Sequence, residues 1–134
     1  MAFLRFIVPQ KNPDSEVSVG VFSTAYRLRD SAHITRQERE TLNDHLRWFA
    51  ANLTTPDRFN RSSSKGHYRR RPKGIAWFRD DASEHISRMY DIKRVLDANG
   101  HVVDILRQDR VGYLVYQDEF QVIAEPFADT RTDG

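Results

Sequence analysis

The apolar residues of this chain occur only in short runs, which limits what it can fold into. No run exceeds six residues, whereas a membrane-spanning helix needs about 20. The first nine residues carry Arg5 within an apolar run and lack a cleavage-type site, so no targeting segment is expected. The length of 134 residues and an apolar content of 39% fit a packed domain. We therefore expect one cytoplasmic domain over residues 1–134, soluble and not associated with a membrane.

The sequence contains no cysteine, which excludes disulfide frameworks, thiolate zinc sites and cysteine nucleophiles. The 5 histidines are scattered, and no two of them have the i, i+4 spacing of a helical zinc site. His45 and His85 fall beside the apolar stripes of predicted helices, where a hydrogen bond to backbone or water is the expected role. The sequence therefore predicts no metal site, no cofactor and no catalytic residue.

Hydrophobic periodicity predicts a strand at the start of the chain and a helix soon after it. Residues 3–8 are apolar except for Arg5, and they predict a strand that is covered on both faces and ends at Pro9. Residues 17–29 alternate like a strand at first and then keep helical spacing. We favour a helix from Gly20 onward.

Two further helices are predicted with defined ends. Thr35 and Glu38 form a capping box before a stripe of leucine and phenylalanine, so a helix is predicted over residues 36–53. The other begins with acidic residues after position 79 and ends at Asn99 and Gly100, where a left-handed residue closes helices.

Short β-branched and aromatic runs predict four more strands, at residues 75–78, 102–106, 111–116 and 120–125. The last three are expected to pair antiparallel in sequence, with Leu114 opposite Ile123 across a turn at Asp118 and Glu119. This turn is not of the favoured Asn-Gly type, so the register is fixed only to within one residue. Together the elements predict an α+β fold: one mostly antiparallel sheet of about five strands with two or three helices packed on one face. Residues 128–134 are expected to form a frayed tail.

Two carboxylates fall within or beside the predicted C-terminal strands. Asp104 lies inside the predicted strand at residues 102–106, and Glu125 ends the last strand. A charge buried there requires a partner, and we expect an ion pair with an arginine such as Arg5 or Arg107.

One stretch, the basic segment (residues 54–74), accounts for the positive charge of the chain. It contains three serines, two glycines and two prolines without periodicity, and it predicts a long loop. Of the 21 cations in the chain, seven lie between Arg58 and Lys73, where there is no acidic residue. The rest of the chain contains the other 14 cations and all 19 acidic residues, so it carries a net negative charge.

The composition of the basic segment points to an anionic ligand. Its cations are interleaved with Phe59 and Tyr68, and such segments bind single-stranded nucleic acid, where cations neutralise phosphates and aromatic rings stack on bases. The sequence therefore predicts a small binding module for an anionic partner, nucleic acid in the first place. The predicted contact residues are Arg58, Phe59, Arg61, Lys65, Tyr68, Arg69, Arg70, Arg71 and Lys73.

Two alternatives to nucleic-acid binding remain open for the basic segment. It also fits a solvated loop that binds nothing. It also fits a protein-interaction or homo-oligomerising module, in which the cations meet an acidic surface of another protein or of a second copy.

Three short pieces of the sequence allow an enzymatic hypothesis. Gln117, Asp118 and Glu119 give Gln-x-Glu just before a strand, three serines lie upstream at residues 62–64, and Arg5 lies on the first strand. This arrangement resembles the acidic, serine and arginine motifs of ADP-ribosyltransferases, and the resemblance implies transfer of ADP-ribose. Residues 117–119 also fit a polar hairpin tip.

Overall fold

The computed structural model describes residues 2–11, 18–53 and 75–126, which form one sheet and three helices. In chain order the elements are β1 (Phe3–Lys11), β2 (Ser18–Gly20), α1 (Val21–Arg29), α2 (Arg36–Asn52), β3 (Ile75–Arg79), α3 (Ser83–Ala98), β4 (Asp104–Gln108), β5 (Tyr113–Gln117) and β6 (Gln121–Glu125). All strand pairs are antiparallel. The predicted α+β fold is confirmed, with the short β2 added to the five expected strands. The predicted loop at residues 54–74 and tail at residues 128–134 lie outside the described residues.

The sheet is built around β1, which pairs along both of its edges. Ile7 is opposite Asp104 of β4 on one edge and opposite Gly20 of β2 on the other. Phe3 and Leu4 pair with β3, which shares the second edge with β2. From β3 the sheet continues through β6 to β5.

Both faces of β1 are buried, as the sequence predicts. Phe6 and Val8 enter an apolar cluster beneath the helices, whereas Ile7, between them, enters a second cluster on the opposite face. All three helices contribute to the first cluster, so they pack on one face of the sheet. Their buried residues there include Val21, Ala25 and Leu28 of α1, Leu42, Leu46 and Phe49 of α2, and Met89, Ile92 and Leu96 of α3.

The second cluster is buried because the sheet is coiled. β4 and β5 are the two outer strands, yet only residues 109–112 join them. This link spans about 18 Å at most when fully extended, whereas the edges of a flat five-strand sheet are about 19 Å apart. Val111 of the link belongs to the second cluster, so the sheet curls toward this face. Trp77 and Ile7, each 1% exposed, lie in the resulting concave interior.

The ends of α2 are tied to other elements. The capping box is confirmed: the Glu38 backbone N–H donates to Thr35 Oγ1 at 3.1 Å, and the Thr35 N–H donates to Glu38 Oε1 at 2.9 Å. Asn99, at the end of α3, donates to Glu38 Oε2 at 3.0 Å. The hydrogen bonds from the Thr35 backbone and from Asn99 lower the pKa of Glu38. Gly100 follows with φ 85°, the left-handed ending predicted for α3. Within the described ranges, no helix combines the length and apolarity needed to cross a bilayer.

The N-terminal strands differ in two ways from the prediction. β1 does not end at Pro9, because its pairing with β2 is interrupted between Val8 and Lys11, and an interrupted ladder tolerates a residue without an N–H. Within the predicted range 17–29, the described residues 18–29 form first a strand and then a helix: β2 ends at Gly20, which is also the N-cap residue of α1.

The C-terminal strands were only partly predicted. β5 and β6 form the expected hairpin, but Leu114 pairs with Ala124 rather than Ile123. Gln117 pairs with Val122 next to the turn, a register that would place Leu114 opposite Glu125, and an irregularity between Leu114 and Tyr116 moves it back by one residue. The turn is centred one residue later than predicted, since the Asp118 N–H donates to the Gln121 carbonyl oxygen at 2.9 Å. β4 pairs with β1 and not with β5, so the three strands are not a meander.

The expected buried ion pair of Asp104 is wrong. β4 begins two residues later than predicted, so Asp104 is its first residue and its side chain is exposed. Arg107 instead lies 3.8 Å from Asp80. Arg5 donates to the Ala76 carbonyl oxygen at 3.2 Å. A charge at the exposed end of a strand keeps its hydration and requires no buried partner.

Two glycines with positive φ allow a matched test of how closely the residue before β5 approaches β6. At Gly112, with φ 125°, an added Cβ would lie 1.9 Å from the Glu125 carbonyl oxygen, whereas at Gly100 it would meet nothing within 4 Å. We expect Gly112→Ala to lower the free energy of unfolding by about 3 kcal/mol or more. Gly100→Ala carries the backbone strain alone and should cost about 1 kcal/mol. Urea unfolding measures both values, and equal losses would contradict the close approach of β5 to β6 at Gly112.

Candidate functional site

The nine predicted contact residues of the basic segment all lie outside the described residues. The structure describes the two positions from which the segment departs. Leu53, after α2, is half-buried against the first cluster, beneath the helices. Ile75, the first residue of β3, is half-buried against the second cluster, on the opposite face of the sheet. The basic segment is therefore attached to the body at both of its ends by apolar contacts.

The C-terminal end of α2 is held by a buried histidine. His85 Nε2–H donates to the Asn52 carbonyl oxygen at 2.9 Å, which satisfies one of the carbonyls that lack a partner at a helix end. The ring stacks on Phe120, with centroids 4.3 Å apart, and meets Trp48 edge-on at 4.6 Å. The predicted backbone hydrogen bond is confirmed, but the predicted boundary position is wrong, since His85 is 3% exposed. The C-terminal end of α2 is thereby fixed relative to α3.

A second histidine joins α2 to α3 on the same side. The Arg88 guanidinium lies 4.3 Å from the centroid of the Trp48 ring and donates to His45 Nδ1 at 3.3 Å. His45 Nε2 lies 3.1 Å from Asp91 Oδ2. Burial, followed by the charge of Arg88, lowers the pKa of His45, so the ring is neutral at pH 7 and donates to Asp91 while it accepts from Arg88. His45 is thus a structural link between the helices.

An aromatic groove lies between α1 and α2 and leads to the start of the basic segment. It encloses about 540 Å³, and its lining residues are Phe22, Tyr26, Leu46, Phe49, Ala50, Ala51 and Leu53. None of these residues is charged. The sequence alone does not predict this groove. The only hint of it is the i, i+4 spacing of Phe22 and Tyr26, which points to a shared helix surface once α1 is known to be a helix packed against α2.

The cations of the described body are largely engaged by its own acids. Seven of them lie in ion pairs: Arg29, Arg36, Arg79, Arg88, Lys93, Arg94 and Arg107. Arg39 instead donates to the carbonyl oxygens of Arg29 and Ser31 at 2.9 and 2.6 Å. The described residues hold 13 cations and 14 acids, so this part of the surface is close to neutral.

The residues of the enzymatic hypothesis are spread over the sheet. Arg5 is on β1 and Gln117 on β5, with β3 and β6 between these strands. The serine run at residues 62–64 lies outside the described residues. Glu119 is exposed at the hairpin tip. In the described ranges, no group of three or more histidine or acidic residues is arranged to hold a metal ion.

Asp118 organises the hairpin tip between β5 and β6. Its carboxylate accepts hydrogen bonds from the Phe120 N–H at 2.8 Å, the Gln121 N–H at 3.0 Å and the Tyr116 hydroxyl at 2.9 Å. Burial raises the pKa of Asp118, but these hydrogen bonds together outweigh it and lower the pKa. The same residues that resemble an enzymatic motif therefore build a turn.

Comparison of the chain with family models, with curated proteins and with solved structures finds no match.

The role of Asp118 in the turn predicts a pH-dependent loss of stability. We expect Asp118→Ala to lower the free energy of unfolding by about 1–2 kcal/mol at neutral pH, because two backbone N–H groups lose their acceptor. A lowered pKa means that the carboxylate stabilises the fold above the value of a free aspartate, about 3.9, and that this stabilisation is lost as the pH falls through the lower folded value. The difference between variant and wild type should therefore shrink in acid.

Glu119→Ala is the matched control, since Glu119 is the exposed neighbour of Asp118. Its cost should stay within about 0.5 kcal/mol at every pH. Urea unfolding at pH 7 and in acid measures the free energy of unfolding of both variants. A larger loss for Glu119→Ala than for Asp118→Ala would show that Asp118 is not the residue that stabilises the hairpin tip.

Proposed function

We propose that the protein is a binding module for single-stranded nucleic acid, which it engages through the cations of the basic segment. The observation that carries the proposal is the charge distribution: seven cations and no acid lie between Arg58 and Lys73. Phosphate groups bind arginine well, since the planar guanidinium makes two parallel hydrogen bonds to their oxygens. Phe59 and Tyr68 supply aromatic rings of the kind that stack on unpaired bases.

The charge balance of the described body supports this proposal. At least nine of its 14 acidic side chains already form an ion pair or accept a hydrogen bond; these include Asp30, Glu38, Glu40, Asp80, Asp81, Glu84, Asp91, Asp97 and Asp118. The described body is nearly neutral and largely paired within itself, so it offers little net negative charge to these seven cations; the other five acidic residues of the chain lie outside the described residues. An external polyanion supplies the negative charge that these cations can bind, and the release of its counterions drives such binding.

A salt titration of a triple variant tests the proposal. We expect the full chain to bind a labelled single-stranded oligonucleotide at low salt, with log K falling linearly with log salt concentration. Changing Arg69, Arg70 and Arg71 together to alanine should weaken binding and reduce the slope by about 2, because each lost phosphate contact contributes about 0.7. The melting temperature should change little, because surface substitutions away from the core are usually nearly neutral.

The control removes the same charge from the described body. Arg36, Arg94 and Arg107 have side chains that are 91%, 75% and 62% exposed and pair with Glu40, Asp91 and Asp80. Their triple alanine variant should keep the salt slope of the wild type. Equal slopes for both triple variants would show that only net charge matters, and absence of binding to DNA and RNA at low salt would contradict the proposal altogether.

A further inference from the structure

The groove between α1 and α2 has the properties of a site for an unpaired base. Its volume of about 540 Å³ lies within the usual range for small-ligand sites, about 300–1,000 Å³. Tyr26 is 39% exposed although it lines the groove, so part of its ring is accessible to a ligand. The Arg29 guanidinium lies 4.9 Å from the centre of this ring. Flat aromatic ligands stack on such a platform, and every base offers the face that stacking needs.

The position of the groove connects it to the basic segment. Leu53 lines the groove and is the residue directly before the segment. Arg58 follows five residues later in the sequence, a separation that a fully extended chain spans in at most about 18 Å. On α2, Arg47 lies four residues before Ala51 and therefore next to it on the helix surface. Arg47 is exposed, and it forms no ion pair within the described residues.

We propose that this groove takes one unstacked base of the bound single strand, against Tyr26, while a neighbouring phosphate meets Arg47. The inference rests on the proposed function and adds to it a second site, which contacts a base rather than phosphates. It also accounts for a preference for single strands, because a base inside a duplex is already stacked on both faces. The Tyr26 hydroxyl is the only side-chain polar group among the lining residues, so the site accepts different bases with little preference.

A second depression on the surface shows what distinguishes the groove. It encloses about 570 Å³ on α3 and contains Tyr90, which is 46% exposed and so resembles Tyr26. Three carboxylates line it, those of Asp80, Asp91 and Asp97, together with the cations Lys93 and Arg94. Both cations are already paired with Asp97 and Asp91, and the carboxylates exceed them by one, so this lining does not attract phosphate. The described lining of the α1/α2 groove carries no charge, and the exposed Arg47 lies beside it. Tyr90 is therefore the matched control for Tyr26.

The experiment measures binding of the full chain to two labelled oligonucleotides of equal length by fluorescence anisotropy. One is single-stranded DNA of mixed sequence, and the other is its abasic counterpart, which keeps the phosphates but has no bases. Tyr26→Leu keeps apolar bulk and removes the ring, Tyr26→Phe keeps the ring, and Tyr90→Leu is the control. Circular dichroism and thermal unfolding confirm that each variant is folded.

We expect Tyr26→Leu to weaken binding of the base-containing strand about 5- to 100-fold, the usual effect of one lost base–aromatic stack. Its binding of the abasic strand and its salt slope should equal those of the wild type. Tyr26→Phe and Tyr90→Leu should bind both strands as the wild type does.

The outcomes separate this inference from the proposed function. If Tyr26→Leu binds the base-containing strand like the wild type, or loses affinity for both strands equally, the groove does not hold a base, although binding through the basic segment stands. Loss of affinity in Tyr26→Phe would also overturn stacking as the interaction. If the wild type binds neither strand at low salt, the proposed function fails as well.

Discussion

The pairing of β1 along both edges, together with burial of both its faces, is the constraint on which the rest of the structure depends. β2 pairs with β1 near Val8 and ends at Gly20, where α1 begins, so the position of α1 over the sheet follows directly from this pairing. β3 occupies the other part of the same edge. The basic segment therefore returns to the body beside the strand that also positions α1.

α2 completes the groove because it is held at both ends by α3. At its N-terminal end, Glu38 of the capping box accepts from Asn99. At its C-terminal end, the Asn52 carbonyl accepts from His85, which lies among aromatic rings. The local capping interactions and the contacts between helices thus use the same residues. Because α2 is fixed at both ends, the side of the groove that it forms keeps a constant position.

Much of the fold was predictable because its signals are local. The capping box at Thr35, the helical stripe that follows it and the left-handed Gly100 all act within one or two turns, and all were found in the sequence. The partner of β4 was not predictable, since the choice between β1 and β5 depends on the coiling of the whole sheet. The pairing of Leu114 was missed for another reason, since it depends on a turn one residue later than predicted and on an irregularity between Leu114 and Tyr116 that adds a residue on one strand.

The candidate site divides in the same way between local and tertiary information. The run of cations between Arg58 and Lys73 is visible in the sequence, whereas the groove is not, since it forms only where two helices from different parts of the chain meet. Two of its lining residues, Leu46 and Phe49, are 1% and 4% exposed and also belong to the helix-side core.

The floor of the groove is thus part of the packed interior, and its shape is set before any ligand arrives. A ligand that enters a preformed apolar groove avoids the cost of ordering side chains, about 0.5–1.5 kcal/mol for each one immobilised. In the proposed arrangement, long-range attraction comes from the cations, and the short-range contact comes from a surface that folding has already ordered. If this proposal holds, changes to the cations alter affinity with little effect on stability, whereas changes to Phe49 alter both.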